Sequence, residues 1–83
     1  MNRIGIVAII IEGNRENVTA VNAILSEYSD VVHARMGVPN KEKELYIISL
    51  VVEVTNEQLG ALTGKLGNLA GVTVKSMMTN KTY

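Results

Sequence analysis

The residues that could do chemistry are few and scattered. The chain has one histidine, His33, and no cysteine in 83 residues. Without thiols there is no thiolate nucleophile, no cysteine zinc site and no iron–sulfur ligation. One imidazole cannot build a multi-histidine metal centre, so His33 would need carboxylates or symmetry mates beside it. Ser26, Ser29, Ser49 and Ser76 sit in no nucleophile motif. The glycines of "GALTGKLGNLAG" (60–71) do not follow a strand with Gly-x-Gly-x-x-Gly or phosphate-loop spacing. These absences point to a protein that is not an enzyme and carries neither cofactor nor metal.

What remains is binding chemistry. In "VVHARMGV" His33 and Arg35 alternate with apolar residues and are expected on one strand face, where Ser49 and Lys75 could join them. A cationic cluster against apolar surface wants an anion or a partner carboxylate. The plainer alternative is a strand near the sheet edge, with both side chains in solvent or paired with Glu53. Gly13 and Asn14, in Glu12-Gly13-Asn14, fall at the mouth of the first helix, where free N–H groups can meet an anion. An ordinary strand-to-helix turn would use the same residues. The candidate ligand-binding residues are therefore Gly13, Asn14, His33 and Arg35, and the candidate ligand is a small anionic effector at a subunit interface.

Those residues need elements to position them. Ile4–Ile11 is short, rich in β-branched residues and apolar on both faces, the pattern of a central strand. Asn14 reads as the N-cap of a helix over Arg15 to Tyr28, along which Val18, Val21, Ile24, Leu25 and Tyr28 recur at helical spacing. Val31–Val38 alternates, with Val32, Ala34, Met36 and Val38 on one face. Pro39-Asn40 opens the polar turn "PNKEKE". Leu45–Val54 is a second apolar strand and completes an antiparallel hairpin. Thr55 starts the second helix with Gln58 as capping-box partner, and the helix runs to about Leu66. Val72–Met78 is the last strand, and "TNKTY" is expected to fray. The order β-α-β-β-α-β predicts an α+β, ferredoxin-like sandwich in a single domain over residues 1–83: a four-stranded antiparallel sheet with two helices on one face.

The second sheet face should then be polar, and it is not. With Ile6, Ala8 and Ile10 toward the helices, Val7, Ile9 and Ile11 face outward. With Tyr46, Ile48, Leu50 and Val52 toward the helices, Leu45, Ile47 and Val51 face outward. Reversing either register leaves both faces apolar. Such a face marks an interaction surface, and the expected occupant is another subunit, as homodimer or homotetramer. Four of the seven glycines lie within residues 60–71. On a helix Gly60, Gly64 and Gly67 cluster opposite Leu59, Leu62 and Leu66, which must face the sheet. Gly67 reads as a left-handed C-terminal glycine and Gly71 as a turn residue. Gly60 and Gly64 leave bare backbone that is either a second contact strip for a partner protein or a tolerated weak helix.

Composition sets the outer limits. Apolar residues make up 47% of the chain, and with no disulfide a domain this small usually draws support from association. Eight basic residues balance eight acidic ones, which argues against direct nucleic acid binding. The apolar run Ile4–Ile11 is too short to span a bilayer and reads as a strand rather than a signal core, so no membrane association is expected and the default location is cytoplasmic.

The stretches "RIGIVAIIIEGNRENVTAVNAILSEYSDVVHARMGVP", "YIISLVVEV" and "GALTGKLGNLAGVTVKS" together resemble a family of small proteins described as iron-only hydrogenase system regulators, also classed as transcriptional regulators. The most specific pieces are Arg35-Met36-Gly37-Val38-Pro39 and Leu62-Thr63-Gly64-Lys65-Leu66-Gly67, followed by Gly71-Val72 and Val74-Lys75. The resemblance covers nearly the whole chain and implies an ACT-like fold with a regulatory role. More distantly the pattern is similar to the C-terminal domain of nickel-responsive repressors, whose metal ligands fall in the strand that carries His33. The accompanying histidines and cysteine of that family are missing here, so a nickel site is not expected. ACT domains often bind amino acids near the first strand-to-helix loop. Glu12-Gly13-Asn14 stands there without the Asp-x-Pro-Gly pattern common in that group.

Overall fold

The computed structural model describes residues 2–13 and 15–82. Its elements run β1 (Arg3–Glu12), α1 (Arg15–Glu27), β2 (Val32–Asn40), β3 (Leu45–Val54), α2 (Asn56–Gly67) and β4 (Val72–Thr82). The strands form one antiparallel sheet in the order β2-β3-β1-β4, the expected ferredoxin-like arrangement. The expected N-cap Asn14 lies outside the described residues.

Local sequence explains most boundaries. Thr55 caps α2: the Gln58 N–H donates to Thr55 Oγ1 at 3.1 Å, and the Thr55 N–H donates to Gln58 Oε1 at 2.9 Å. That reciprocal pair satisfies two otherwise orphaned donors. Leu62 and Leu66 are buried on the sheet with Leu59 packed beside them, while Gly60, Gly64 and Gly67 face away. Gly67 differs from expectation. It completes the last helical turn, and Asn68 caps the helix at φ −78° in right-handed conformation. The left-handed glycine is Gly71, at φ +74°. The tail also differs: β4 continues through Thr82, with the Thr79 hydroxyl donating to the Ile4 carbonyl at 3.2 Å. A strand neighbour supplied hydrogen bonds that the sequence could not announce.

The core lies between one sheet face and the two helices. Val7, Ile9 and Ile11 of β1 and Ile48, Leu50, Val52 and Val54 of β3 are all buried against Val21, Leu25, Leu62 and Leu66. Of the orientations left open by the sequence, β3 turns Ile48, Leu50 and Val52 to the helices and β1 turns Val7, Ile9 and Ile11, which leaves Ile6, Ala8 and Ile10 on the open side. Between the helix ends, Lys65 Nζ donates to Glu27 Oε2 at 3.0 Å and lies 5.3 Å from the centre of the Tyr28 ring. The Glu27 hydrogen bond, and then the contact with Tyr28, hold the Lys65 ammonium above the ordinary lysine pKa. Among the described residues no helix is long and apolar enough to cross a membrane.

Candidate functional site

β2 departs from strict alternation at one residue. Val32 pairs with Val52 and Ala34 with Val51, so β2 advances two residues where β3 advances one. The extra residue is His33, in a β-bulge. A one-residue slip exchanges sheet faces for everything beyond it. Val32 therefore lies with Val52 on the helix side, whereas Ala34, Met36 and Val38 pair with Val51, Ser49 and Ile47 on the open side. Arg35, opposite Leu50, turns toward the helices. Its Nη2 donates to Asn22 Oδ1 of α1, and it lines a small cavity of about 210 Å³ with Leu25, Ser26 and Val32. His33 instead meets Glu53, with Nε2 and Oε1 3.0 Å apart. The expectation that His33 and Arg35 share a strand face is corrected by this bulge.

Gly13 is farther still from His33. It follows Glu12, which pairs with Leu45, while the Glu53 that holds His33 pairs with Ile4 at the other end of β1. Eight residues of strand separate the two ends, about 26 Å. Within one chain, one small ligand does not bridge Gly13, Arg35 and His33. Asn14 falls outside the described residues.

Gly13 does line a cleft of about 520 Å³, where the β1–α1 turn meets the β2–β3 hairpin. Gly13 has φ +94°, a conformation in which a side chain is strained. Asn17 holds the turn from below: its Nδ2 donates to the Glu12 carbonyl at 2.8 Å. The Glu12 N–H in turn donates to Gly71 O at 2.7 Å. A Cβ on Gly71 would lie 2.7 Å from Asn17 Nδ2 and 2.8 Å from Glu12 O, so this position too requires glycine. On the opposite bank the Glu44 N–H donates to Lys41 O at 3.3 Å, and Glu44 adopts φ +56°. Tyr46 forms a wall, its ring packed over Gly37 so closely that a Cβ there would lie 2.5 Å from the hydroxyl.

The lining divides by chemistry. Ile11, Val18 and Leu45 make an apolar floor, and Arg15, Lys41 and Glu44 stand around the rim. Two cations beside a backbone turn suit a carboxylate or phosphate, the apolar floor suits a short aliphatic body, and Glu44 can receive a cationic group. Arg15, Lys41, Glu44 and Tyr46 were missed as site residues by sequence reasoning. Their signal was present in part: "PNKEKE" is a charged turn, and pairing the hairpin with β1 would have brought it beside Gly13. Among the described residues no three His, Cys, Asp or Glu side chains gather as a metal site.

Comparison with known proteins agrees with the fold and refines the identity. No curated protein matches the chain. The crystal or solution structures that match include the uncharacterized protein TM1266 from Thermotoga maritima, 36% identical with a TM-score of 0.92, over 94% of this chain and 98% of that one. The ACT domain from GTP pyrophosphokinase of Chlorobium tepidum matches at 22% identity and a TM-score of 0.71, over 93% of this chain and 100% of that one. The C-terminal domain of the MgtC protein from Mycobacterium tuberculosis matches at 15% identity and 0.73, over 93% and 87%. The latter two share the fold alone. Residues 3–76 match the family described as TM1266-like, iron-only hydrogenase system regulator, and the chain belongs to that family.

Proposed function

We propose that the protein is a non-enzymatic, homo-oligomeric regulatory module that takes a small anionic effector in the cleft between the β1–α1 turn and the β2–β3 hairpin. The family description and the ACT-like fold support a regulatory role. The observation that carries the location is the meeting of Gly13, Arg15 and Lys41 over an apolar floor. Gly13 is retained from the expected site. Arg35 and His33, tied to Asn22 and Glu53, serve as framework in this reading.

The test is thermal unfolding in the presence of individual L-amino acids, short dicarboxylates and inorganic phosphate. At least one of these raises the melting temperature of the native protein. The double substitution Arg15→Ala with Lys41→Ala removes that rise, and Arg35→Ala does not. A panel without effect, or a rise that survives the double substitution, overturns the reading.

A second reading has one observation in its favour. Beyond their chain neighbours and the backbone of their own helix, Gly60 and Gly64 have no atom within 4 Å of where a Cβ would stand, which leaves bare helical backbone on the surface. An adaptor without a small ligand would dock a partner protein there. In that case Gly64→Leu blocks partner capture while the fold is kept.

A further inference from the structure

The open face of the sheet has relief as well as apolarity. Across its centre, Ser49 of β3 lies beside Ala8 of β1, two small side chains in one cross-strand row. The row on one side carries Val51 beside Ile6, and the row on the other carries Ile47 beside Ile10. The face is therefore a shallow trough between two aliphatic ridges, running across the strands. The long side chains Met36 and Lys75 close the trough at the two edge strands. Met36 is 62% exposed and Met77, beside Ile6, is 57% exposed.

We propose that this face is occupied by a second copy of the chain, seated so that a ridge of each copy enters the trough of the other. The proposal rests on the homo-oligomeric part of the function proposed above and names its surface. Three observations select a second copy as the occupant. Four strands of about ten residues span roughly 30 by 19 Å, or about 600 Å² per copy in plan before side-chain relief is added. Two copies then bury about 1,200 Å² or more, the lower bound for a specific stable interface. The chain has zero net charge, so no overall repulsion opposes self-association. The relief is self-complementary under a two-fold axis that lies in the interface, runs across the strands and falls midway between the trough and a ridge. Such an axis offsets the copies by one row. It places Ile6 or Ile10 of each over Ala8 of the other, and it keeps the two Lys75 ammoniums from opposing one another. Each Lys75, on the edge strand β4, extends its head to the rim while its stem covers apolar surface.

The experiment is sedimentation of the full chain at several concentrations, with far-UV circular dichroism as the check on folding. The native protein sediments as two or more copies of the 9.0 kDa chain. Ser49→Arg, at the trough centre, and Met36→Lys, at its exposed edge, each give the single-chain mass. Ala61→Arg, on the exposed side of α2, leaves the mass unchanged. Ala8→Ile separates ridge-into-trough seating from loose hydrophobic contact. It adds apolar surface yet fills the trough, and raises the dissociation constant about tenfold or more. An oligomer that survives Ser49→Arg and Met36→Lys overturns the interface while leaving the oligomeric reading in place. Tighter association of Ala8→Ile overturns the seating. A monomeric native chain overturns both the interface and the homo-oligomeric reading, while effector binding at the cleft is judged separately by the thermal test.

Discussion

Ile9 and Ile10 are neighbours in the chain and identical in type, yet Ile9 is 0% exposed and Ile10 is 37% exposed. The two faces of the sheet differ in the same way along their length. Val7, Ile9 and Ile11 lie under the helices; Ile6, Ala8 and Ile10 do not. Along β1, hydropathy does not distinguish the faces. What distinguishes them is what covers them, and for one face the cover is supplied by Leu25, Leu62 and Leu66 of the same chain. A soluble domain with one covered face would ordinarily show polar residues on the other. The aliphatic side chains that the open face nonetheless carries, Ile6 and Ile10 of β1 beside Val51 and Ile47 of β3, are the physical ground for the assembly proposed above.

The largest effect expected from breaking this comparison is at Ile9. Ile9→Ala leaves a cavity inside the core and costs about 2–5 kcal/mol in urea denaturation. Ile10→Ala removes the same atoms from the open face and costs less. The residual cost of Ile10→Ala grows with protein concentration if a second copy covers it. Equal costs at low concentration would show that the two faces are covered alike within a single chain.

A smaller effect is expected at the margin of the helix-covered side. There Tyr46, rather than a helix, lies over Gly37. Gly37→Ala forces the ring away and destabilises by about 1–3 kcal/mol, as overpacking does. It also deforms one wall of the cleft, so effector stabilisation weakens with it. The smallest effect has the opposite sign. Gly64→Ala meets no neighbour and improves helix propensity, so it stabilises α2 by about 0.5–1 kcal/mol, read as a higher urea midpoint. A loss of stability at this position would mean that the helix strip is already in contact with something.

Most of the fold was legible because its signals are local. The capping box at Thr55 and Gln58, the leucine stripe of α2 and the apolar runs of β1 and β3 each act over a few residues. The candidate site was legible only at Gly13. Arg15 and Lys41 are far apart in sequence, and their meeting depends on β1 pairing with β3 so that Glu12 stands opposite Leu45. Arg35 was misplaced because a single extra residue, His33, shifts the register of everything after it.

The sequence by itself determined the order of elements, the antiparallel hairpin, the face of α2 that is buried and the absence of thiol chemistry. Periodicity, caps and composition act locally and leave their marks in the order of residues. Tertiary structure alone decided which side of β1 meets the helices, where β2 bulges and which charges gather at the cleft. The reason is the same in each case. β1 is apolar on both faces, so its alternation carries no preference, and the choice is made by the long-range pairings and the helix packing that surround it.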